Sequence, residues 1–210
     1  RLHTDPVVHA YAITARRCGF HREHLVAFFS SMRADLTHRE YSPSELQDYI
    51  YGSAEAIGLL CLQIFLAEED VSPTDRAAMD RGARALGSAF QKINFLRDLG
   101  EDSSTLGRTY FQQAPSGRID EVTKSALIAE IRRELATAAL TIDLLPASAR
   151  VGVSAAADIF AELTNRLAAT PATALATTRV SVPNHTKAWL AARAVRRRGH
   201  SSRTSATAES

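Results

Sequence analysis

Three oxygen-bearing side chains recur at every fourth position in the segment AFQKINFLRDLGEDSSTLGRTYF, which runs from Ala89 to Phe111. If this segment is helical, Asn94, Asp98 and Asp102 lie on one face. Two carboxylates one turn apart repel each other unless a cation lies between them. Carboxylate and amide oxygens are ligands that Mg²⁺ accepts, together with phosphate oxygens of a substrate. The pattern therefore predicts a Mg²⁺ site, with Mn²⁺ as the alternative ion, whose ligands are Asp98, Asp102 and Asn94.

Cationic side chains surround this stripe of oxygens. Lys92, Arg97 and Arg108 supply the positive charge that a diphosphate needs, and a guanidinium group grips phosphate oxygens in pairs. Gln91 lies close to the stripe, one turn earlier. The alternative is a solvated helix face on which Arg97 and Lys92 relieve the repulsion, and short D-x-x-x-D motifs do arise by chance. Spacing alone leaves both interpretations open.

Helices must position these residues, because apolar residues recur at three- and four-residue steps over most of the chain. Ser72, with Pro73 at the first helical position, forms the start signal of the helix that carries the stripe. Gly19 is predicted to divide the first apolar pattern into two helices, and Ser42 or Ser44 begins another. Further helices are predicted over roughly 119–145, 150–168 and 184–198. No stretch alternates with period two long enough to form a strand, so an all-α bundle is predicted.

The composition of the 210 residues, with 45% hydrophobic and 23% charged, is ordinary for a globular protein with one core. We predict one helical domain over residues 1–183, followed by a basic helix and a disordered tail over 184–210. The longest nearly uncharged apolar stretch, from Ala56 to Ala67, is too short to span a bilayer. Four histidines lack zinc-ligand spacing and are predicted to lie at the surface: His9, His21, His24 and His38.

The segment from Asn184 onward is basic, with six Lys or Arg residues against one acidic residue. An amphipathic helix there is predicted to place Trp189, Leu190 and Val195 against acidic lipid, and a solvated end is the alternative. Nucleic acid is not predicted as a partner, because one short basic run without aromatic platforms is weak support. The predicted location is cytoplasmic, with peripheral membrane contact.

Two long sequence blocks resemble a known family. YIYGSAEAIGLLCLQIF, followed by FQKINFLRDLGEDSSTLGRTYF, closely resembles the squalene/phytoene synthase family, the head-to-head trans-isoprenyl diphosphate synthases. The resemblance continues in order from DPVVHA through MRADL to TRVSVPNHTK and covers nearly the whole chain before the tail. Within the family, the sequence is most similar to bacterial phytoene synthases.

The resemblance implies an isoprenoid-synthase-type helical bundle and a role for individual residues. Asp98 and Asp102 match the family's second aspartate-rich motif, which binds Mg²⁺ and the prenyl diphosphate. Tyr49 falls near the reacting carbons. Other positions match the family's substrate-binding residues: Gln91, Asn94, Arg97 and Arg108 in the polar site, Arg179 beside the diphosphate, and Ala54 and Gly58, with Ser53 and Ile57, in a tunnel of small residues for the prenyl chain.

The implied reaction joins two prenyl diphosphates, with geranylgeranyl diphosphate expected as substrate, into phytoene through a cyclopropyl intermediate in carotenoid biosynthesis. The sequence leaves open a C15 or C20 substrate and a phytoene, squalene or dehydrosqualene product. The family's first aspartate-rich motif lies upstream of DPVVHA, before Arg1. We therefore expect the chain to lack N-terminal helices of the bundle and to need a segment or partner chain that supplies this motif. The alternative is a non-catalytic remnant, or a fragment inactive without the missing segment.

Overall fold

The computed structural model describes residues 5–37, 40–100 and 119–206, with side chains up to residue 197. No β-strand occurs within these ranges, so the predicted all-α architecture is confirmed. The helices in chain order are α1 (Pro6–Arg17), α2 (Arg22–Thr37), α3 (Pro43–Ile50), a π-helical segment π1 (Tyr51–Glu55), α4 (Ala56–Phe65), α5 (Pro73–Arg97), α6 (Glu121–Ile142), α7 (Ala147–Ala169), α8 (Ala172–Leu175) and α9 (Asn184–Ala206). A search of the described residues finds no helix with the length and apolar character needed to cross a bilayer.

Serine caps begin two of the helices, as the sequence predicts. Ser42, rather than Ser44, is the N-cap of α3: its hydroxyl accepts from the Glu45 amide at 3.3 Å, and the Glu45 carboxylate accepts from the Ser42 amide at 2.8 Å. This reciprocal pair satisfies two amides that the first turn leaves unbonded. Ser72 caps α5 by accepting from the Asp75 amide at 3.1 Å. The start of the long helix α5 is therefore encoded locally.

Gly19 divides the first apolar pattern into α1 and α2, as predicted. Its φ of 63° lies in the left-handed region, which glycine enters without the steric penalty of a side chain. α1 buries none of its residues, although its sequence is apolar at Val7, Val8 and Tyr11. It lies on the outside of the bundle, where an ion pair between Arg17 and Glu68 joins it to the segment after α4.

Helix α5 is the centre of the bundle. It packs along α6 and also contacts α4, π1 and α7, while α9 packs on α7. The larger core cluster surrounds the C-terminal half of α5 and includes Ile93, Phe95 and Leu96. A smaller cluster surrounds its N-terminal half, where Met79 meets residues that include Leu62, Leu66 and Leu145. The two ends of α5 are therefore both anchored, and its side chains between them hold fixed positions.

Several helix ends differ from the prediction. α5 ends at Arg97, and Asp98 is its C-cap rather than an interior residue, so the predicted continuous helix is interrupted at Asp98. α9 extends to Ala206, beyond the predicted end near residue 198, because no proline or left-handed residue interrupts it. The short helix α8 lies in the stretch predicted as a loop.

The exposed face of α9 also differs from the prediction. Leu190 is buried against the bundle, whereas Trp189 and Val195 are exposed. Trp189 carries the guanidinium of Arg193 over its ring, 5.0 Å from the centroid, and Arg193 pairs with Asp158 of α7 at 3.1 Å. The three apolar residues predicted to meet lipid therefore do not share one free face. Peripheral membrane contact through this basic helix stays a prediction.

Candidate functional site

One face of α5 connects an apolar cavity to a polar cluster. Ala83, Gly87 and Phe90 line the cavity, and Asn94 and Asp98 follow at four-residue steps on the same face. Phe90 and Asp98 are separated by about 12 Å along the helix axis at the usual rise per residue. The amide and carboxylate oxygens thus lie beyond one end of the cavity, in line with its wall.

The Asp98 carboxylate lies between two guanidinium groups. Arg97 donates from Nε to Oδ1 at 2.9 Å and from Nη2 to Oδ2, a bidentate arrangement. Arg179 approaches Oδ1 from the segment before α9, with Nε at 3.0 Å. The Asp98 side chain is 19% exposed and that of Arg179 is 63% exposed. A small cavity of about 260 Å³ borders all three residues, so an anion from solvent can reach Arg179 there.

The charge state of Asp98 reflects these neighbours. Burial raises the pKa of the carboxyl group, but the hydrogen bond and charge of Arg97, followed by the charge and hydrogen bond of Arg179, outweigh burial. The resulting pKa of Asp98 lies below its ordinary value. Asp98 is therefore a carboxylate at neutral pH, as a metal ligand must be.

Asn94 supplies a second oxygen. Its Oδ1 atom is buried and has no hydrogen-bond partner, and a buried unpaired amide oxygen carries a free-energy cost. A carboxylate and an unoccupied amide oxygen one turn apart form a donor set of the kind that Mg²⁺ accepts. Gln91 is half-buried one turn before Asn94. The predicted ligand Asp102 and the predicted diphosphate-binding residue Arg108 lie outside the described residues.

Tyr49 lies beside the same end of α5. It is buried, its ring stacks on Phe95 with centroids 6.1 Å apart, and the Tyr41 ring lies 5.1 Å away. Its hydroxyl donates to Asp35 Oδ1 at 2.9 Å. This hydrogen bond fixes the orientation of the Tyr49 ring, which lines neither the apolar cavity nor the small cavity beside Asp98. Asp35 was not predicted as a site residue, although it lies within the MRADL block that resembles the family.

The apolar cavity has a volume of about 570 Å³, within the range of small-molecule sites. π1, α4, α5, α6 and α7 all contribute to its walls. The four small positions that the resemblance assigns to a prenyl tunnel lie in this wall: Ser53, Ala54, Ile57 and Gly58. A Cβ on Gly58 would lie 2.6 Å from the Ala83 carbonyl oxygen, so this glycine also permits the close packing of α4 on α5.

The cavity is closed toward the core and open on one side. Phe90 stacks on Phe160 of α7 with ring centroids 3.8 Å apart. Cys61, Ser148 and Gly152, which line the cavity between α4 and α7, are exposed. Water reaches this side of the cavity.

Lys92 does not belong to the Asp98 cluster. Its ammonium group lies 2.7 Å from Glu130 Oε1 and 2.5 Å from Glu134 Oε1, both on α6, and its side chain is only 12% exposed. Ser88 donates to Glu134 at 2.9 Å. The predicted role of Lys92 in supplying charge to a diphosphate is therefore wrong, because α6 carboxylates use that charge within the helix interface.

His24 contradicts the prediction of surface histidines. It is buried, its Nδ1 lies 3.0 Å from the Tyr51 hydroxyl, and burial lowers the pKa of the imidazole. The ring stacks on His21, and donor atoms of His21, Glu23 and His24 lie within 4.8 Å of one another. His21 and Glu23 are exposed at the start of α2, where the helix dipole opposes a cation. Hydrogen bonding to π1 is thus the structural role of His24.

Comparisons with known proteins agree with this geometry. The family model described as squalene/phytoene synthase matches residues 2–186. The chain is 42% identical over 86 residues to phytoene synthase 3, chloroplastic, from Zea mays, a match that covers 39% of this chain and 19% of that protein. It is 31% identical over 131 residues to 4,4'-diapophytoene synthase from Staphylococcus haemolyticus, covering 62% of this chain and 42% of that protein. The chain thus spans less than half of the length of either relative.

A solved structure has a similar fold. The crystal structure of squalene synthase HpnC from Alicyclobacillus acidocaldarius matches with a TM-score of 0.53 and 19% sequence identity, over 79% of this chain and 64% of that one. At this identity the likeness concerns the fold alone. It confirms the predicted type of helical bundle.

Proposed function

This chain belongs to the squalene/phytoene synthase family, and we propose that it carries the diphosphate-binding and prenyl-binding half of a head-to-head prenyltransferase. The proposed substrate is geranylgeranyl diphosphate and the proposed product is phytoene, in carotenoid biosynthesis. One observation carries the proposal: a single face of α5 bears the wall of an apolar cavity and, in line with it, oxygen ligands held beside arginines. A molecule with a long apolar tail and an anionic head matches that arrangement.

The arginines bind the head of the substrate. Arg179 has the more exposed guanidinium group at Asp98, so a diphosphate oxygen can share its N–H donors. Arg97, bidentate on Asp98, keeps that carboxylate oriented. Positive charge held in place before reaction stabilises the negative charge that develops on the departing diphosphate.

Mg²⁺ is the proposed cofactor, with Mn²⁺ as the alternative, and Asp98, Asn94 and Asp102 are the proposed ligands. The ion would supply charge stabilisation and orientation of the leaving diphosphate. Asn94 contributes the buried oxygen that has no hydrogen bond, and Asp98 contributes a carboxylate that stays ionised. The Asp98 carboxylate also contacts Arg179, so binding of Mg²⁺ by this carboxylate must displace that contact.

The cavity and the aromatic residues act on the hydrocarbon. Loss of diphosphate from the first substrate leaves an allyl cation, which adds to the double bond of the second substrate, and loss of a proton then closes the ring of a cyclopropylcarbinyl diphosphate. Loss of the second diphosphate, rearrangement to the C1–C1′ bond and loss of a second proton give the hydrocarbon. Tyr49, which stacks on Phe95 near the C-terminal end of α5, is the proposed aromatic residue near the reacting carbons. Once the open side of the cavity is covered, its apolar walls exclude water, which would otherwise trap the cations.

A further element must cover the open side of the cavity for this chemistry to proceed. Cys61, Ser148 and Gly152 leave a solvent-exposed opening between α4 and α7. We propose that a segment or partner chain carrying the first aspartate-rich motif closes this side and brings carboxylates opposite Asp98. The same observation favours the second candidate, a fragment that binds prenyl diphosphate but does not react alone.

The test compares the chain with and without a covering segment. The protein is incubated with radiolabelled geranylgeranyl diphosphate and Mg²⁺, alone or with an upstream segment that contains a second aspartate pair, and the products are separated by chromatography. Hydrocarbon product only with that segment supports the proposal. Absence of product in both reactions, with the segment bound to the chain, overturns catalysis and leaves the non-catalytic candidate.

A further inference from the structure

We propose that Phe65 forms the end wall of the prenyl-binding cavity and sets the maximum length of the chain that fits. This inference rests on the proposed function, because it concerns how the same cavity selects its substrate. Phe65 is the last residue of α4 and lies at the end of the bundle away from Asp98. Neither the sequence pattern nor the resemblance assigns it a role.

The position of Phe65 relative to the polar cluster follows from the course of α5. α4 and α5 are joined by a short connection, so the end of α4 lies beside the start of α5. Met79 lines the cavity near that start, about 28 Å along the helix axis from Asp98. A prenyl chain whose diphosphate lies at Asp98 would therefore extend its tail toward Met79 and Phe65.

A second cavity begins where the first one ends. It has a volume of about 490 Å³ and lies between α1, the end of α4 and the start of α7. Phe65, Ser148 and Ala149 line both cavities, so these three residues form the partition between them. Ser148 and Ala149 have small side chains, which makes the Phe65 ring the bulk of the partition.

The second cavity can receive the end of an apolar chain. Ile13 of α1 and Ile64 of α4 line one side of it, and the polar residues Thr14, Arg17, Glu68 and Glu69 line the other. Removing the Phe65 ring would join the two cavities into one longer channel. A chain that otherwise stops at Phe65 could then pass into the second cavity along the side formed by the two isoleucines.

The experiment measures binding rather than turnover. Thiolodiphosphate analogues with C10, C15, C20 and C25 chains, which resist ionisation, are titrated into the protein with Mg²⁺ by calorimetry. In Phe65→Ala, we expect the affinity for the C25 analogue relative to the C15 analogue to rise about 10-fold, because apolar surface of the additional isoprene units becomes buried. An unchanged ratio overturns the inference.

Two control variants separate the partition from other effects. Ile64→Ala enlarges only the second cavity and leaves the partition in place, so its chain-length profile should match the wild type. Gly152→Leu adds a side chain to the first cavity at a position where a Cβ would meet no atom within 4 Å. This variant should shift the preference toward shorter analogues.

The remaining outcomes test either the inference about Phe65 or the proposed function. If Phe65→Ala does not fold by circular dichroism, Phe65→Leu and Gly152→Leu must still shift the profile in opposite directions, and the absence of these shifts overturns the inference. If the wild type binds no analogue of any length, the proposed function itself fails. If the wild type binds the analogues but substitutions of Phe65 leave the chain-length preference unchanged, only the inference fails.

Discussion

Two ion clusters on α5 contain the same kinds of side chain but differ in their charge balance and in their exposure to solvent. At Lys92, one ammonium group lies between two α6 carboxylates inside a helix interface. At Asp98, one carboxylate lies between two guanidinium groups, and Arg179 is mostly exposed. The first cluster has one more carboxylate than cations, and its Lys92 and Glu134 side chains are mostly buried, whereas Glu130 is half exposed. The second, among the described residues, has one more cation than carboxylates and is open.

This difference favours a structural role for the Lys92 cluster and supports the proposed binding role of the Asp98 cluster. An excess negative charge in a closed interface favours uptake of a proton. Hydrogen bonds to Glu130 and Glu134 accordingly raise the pKa of Lys92 although burial opposes the shift, and burial above all raises the pKa of Glu134. An excess positive charge in an open cluster favours an anion from solvent instead. Lys92 and Arg97, five positions apart, therefore have different partners and different surroundings.

The largest expected effect comes from Asp98→Asn in the enzyme completed by its covering segment. We expect turnover to fall roughly 10²–10³-fold, the usual cost of removing one electrostatic stabiliser of a developing charge. The rate of product formation from geranylgeranyl diphosphate measures this fall in turnover. Asp143→Asn is the matched control, since Asp143 is also a helix C-cap but is exposed and far from the cavity's polar end. Full activity of Asp98→Asn would contradict a metal role for that carboxylate.

Lys92→Met should affect stability rather than function. The substitution leaves the mostly buried Glu134 and the half-exposed Glu130 without their cation, at a cost of about 2 kcal/mol in the free energy of unfolding. Urea titration followed by circular dichroism measures the change. Lys187→Met, at an exposed position of α9, should change stability by less than about 0.5 kcal/mol. Weaker diphosphate binding by a folded Lys92→Met variant would undo the contrast between the clusters.

Arg179→Gln should weaken binding of the substrate head with little effect on stability. We expect the Kd for inorganic pyrophosphate with Mg²⁺ to rise about tenfold, as expected for losing one charge-assisted contact at an exposed position. Calorimetry at two salt concentrations measures the affinity and the smaller salt dependence of the variant. Arg133→Gln, on the exposed face of α6, removes the same charge elsewhere and should leave Kd unchanged.

The smallest effect concerns pH. The folded-state pKa of Glu134 lies above its ordinary value of 4.5, so the folded state favours the protonated form. The resulting contribution to stability is complete below pH 4.5 and is lost as the pH rises through the raised pKa. Glu134→Gln should lack this decline when unfolding free energies are measured from pH 4 upward. The exposed Glu69→Gln should keep it, and a decline of equal size in both variants would refute the assignment.

The sequence predicts the helices well because their signals are local. The Ser42 and Ser72 caps and the break at Gly19 depend on residues within one turn, and each is observed. The approximate ranges of α6 and α7 follow from apolar period alone. The end of α5 at Arg97 is not visible in the same way, because the polar pattern continues unchanged through Asp98.

Side-chain partners distant in sequence account for the remaining errors. Nothing near Lys92 indicates that Glu130 and Glu134, 38 and 42 positions later, will neutralise it. Arg179 and Asp98, which are in contact, lie still farther apart in the sequence, and only the resemblance to a family pointed to that arginine. The burial of His24 depends on Tyr51 in π1, whose wide turn has no sequence signal that we could use.

The wide turn of π1 makes the number of residues in this segment critical. The Ala56 amide bonds to the Tyr51 carbonyl, five residues earlier, so the backbone here holds one residue more than an α-helical turn. Deleting a residue within π1 would rotate α4 by about 100° relative to α3. Tyr49 would stay beside Phe95, while Gly58 would swing away from Ala83. A natural variant shortened here would therefore keep every ionic residue of the polar cluster and still lose its hydrocarbon channel.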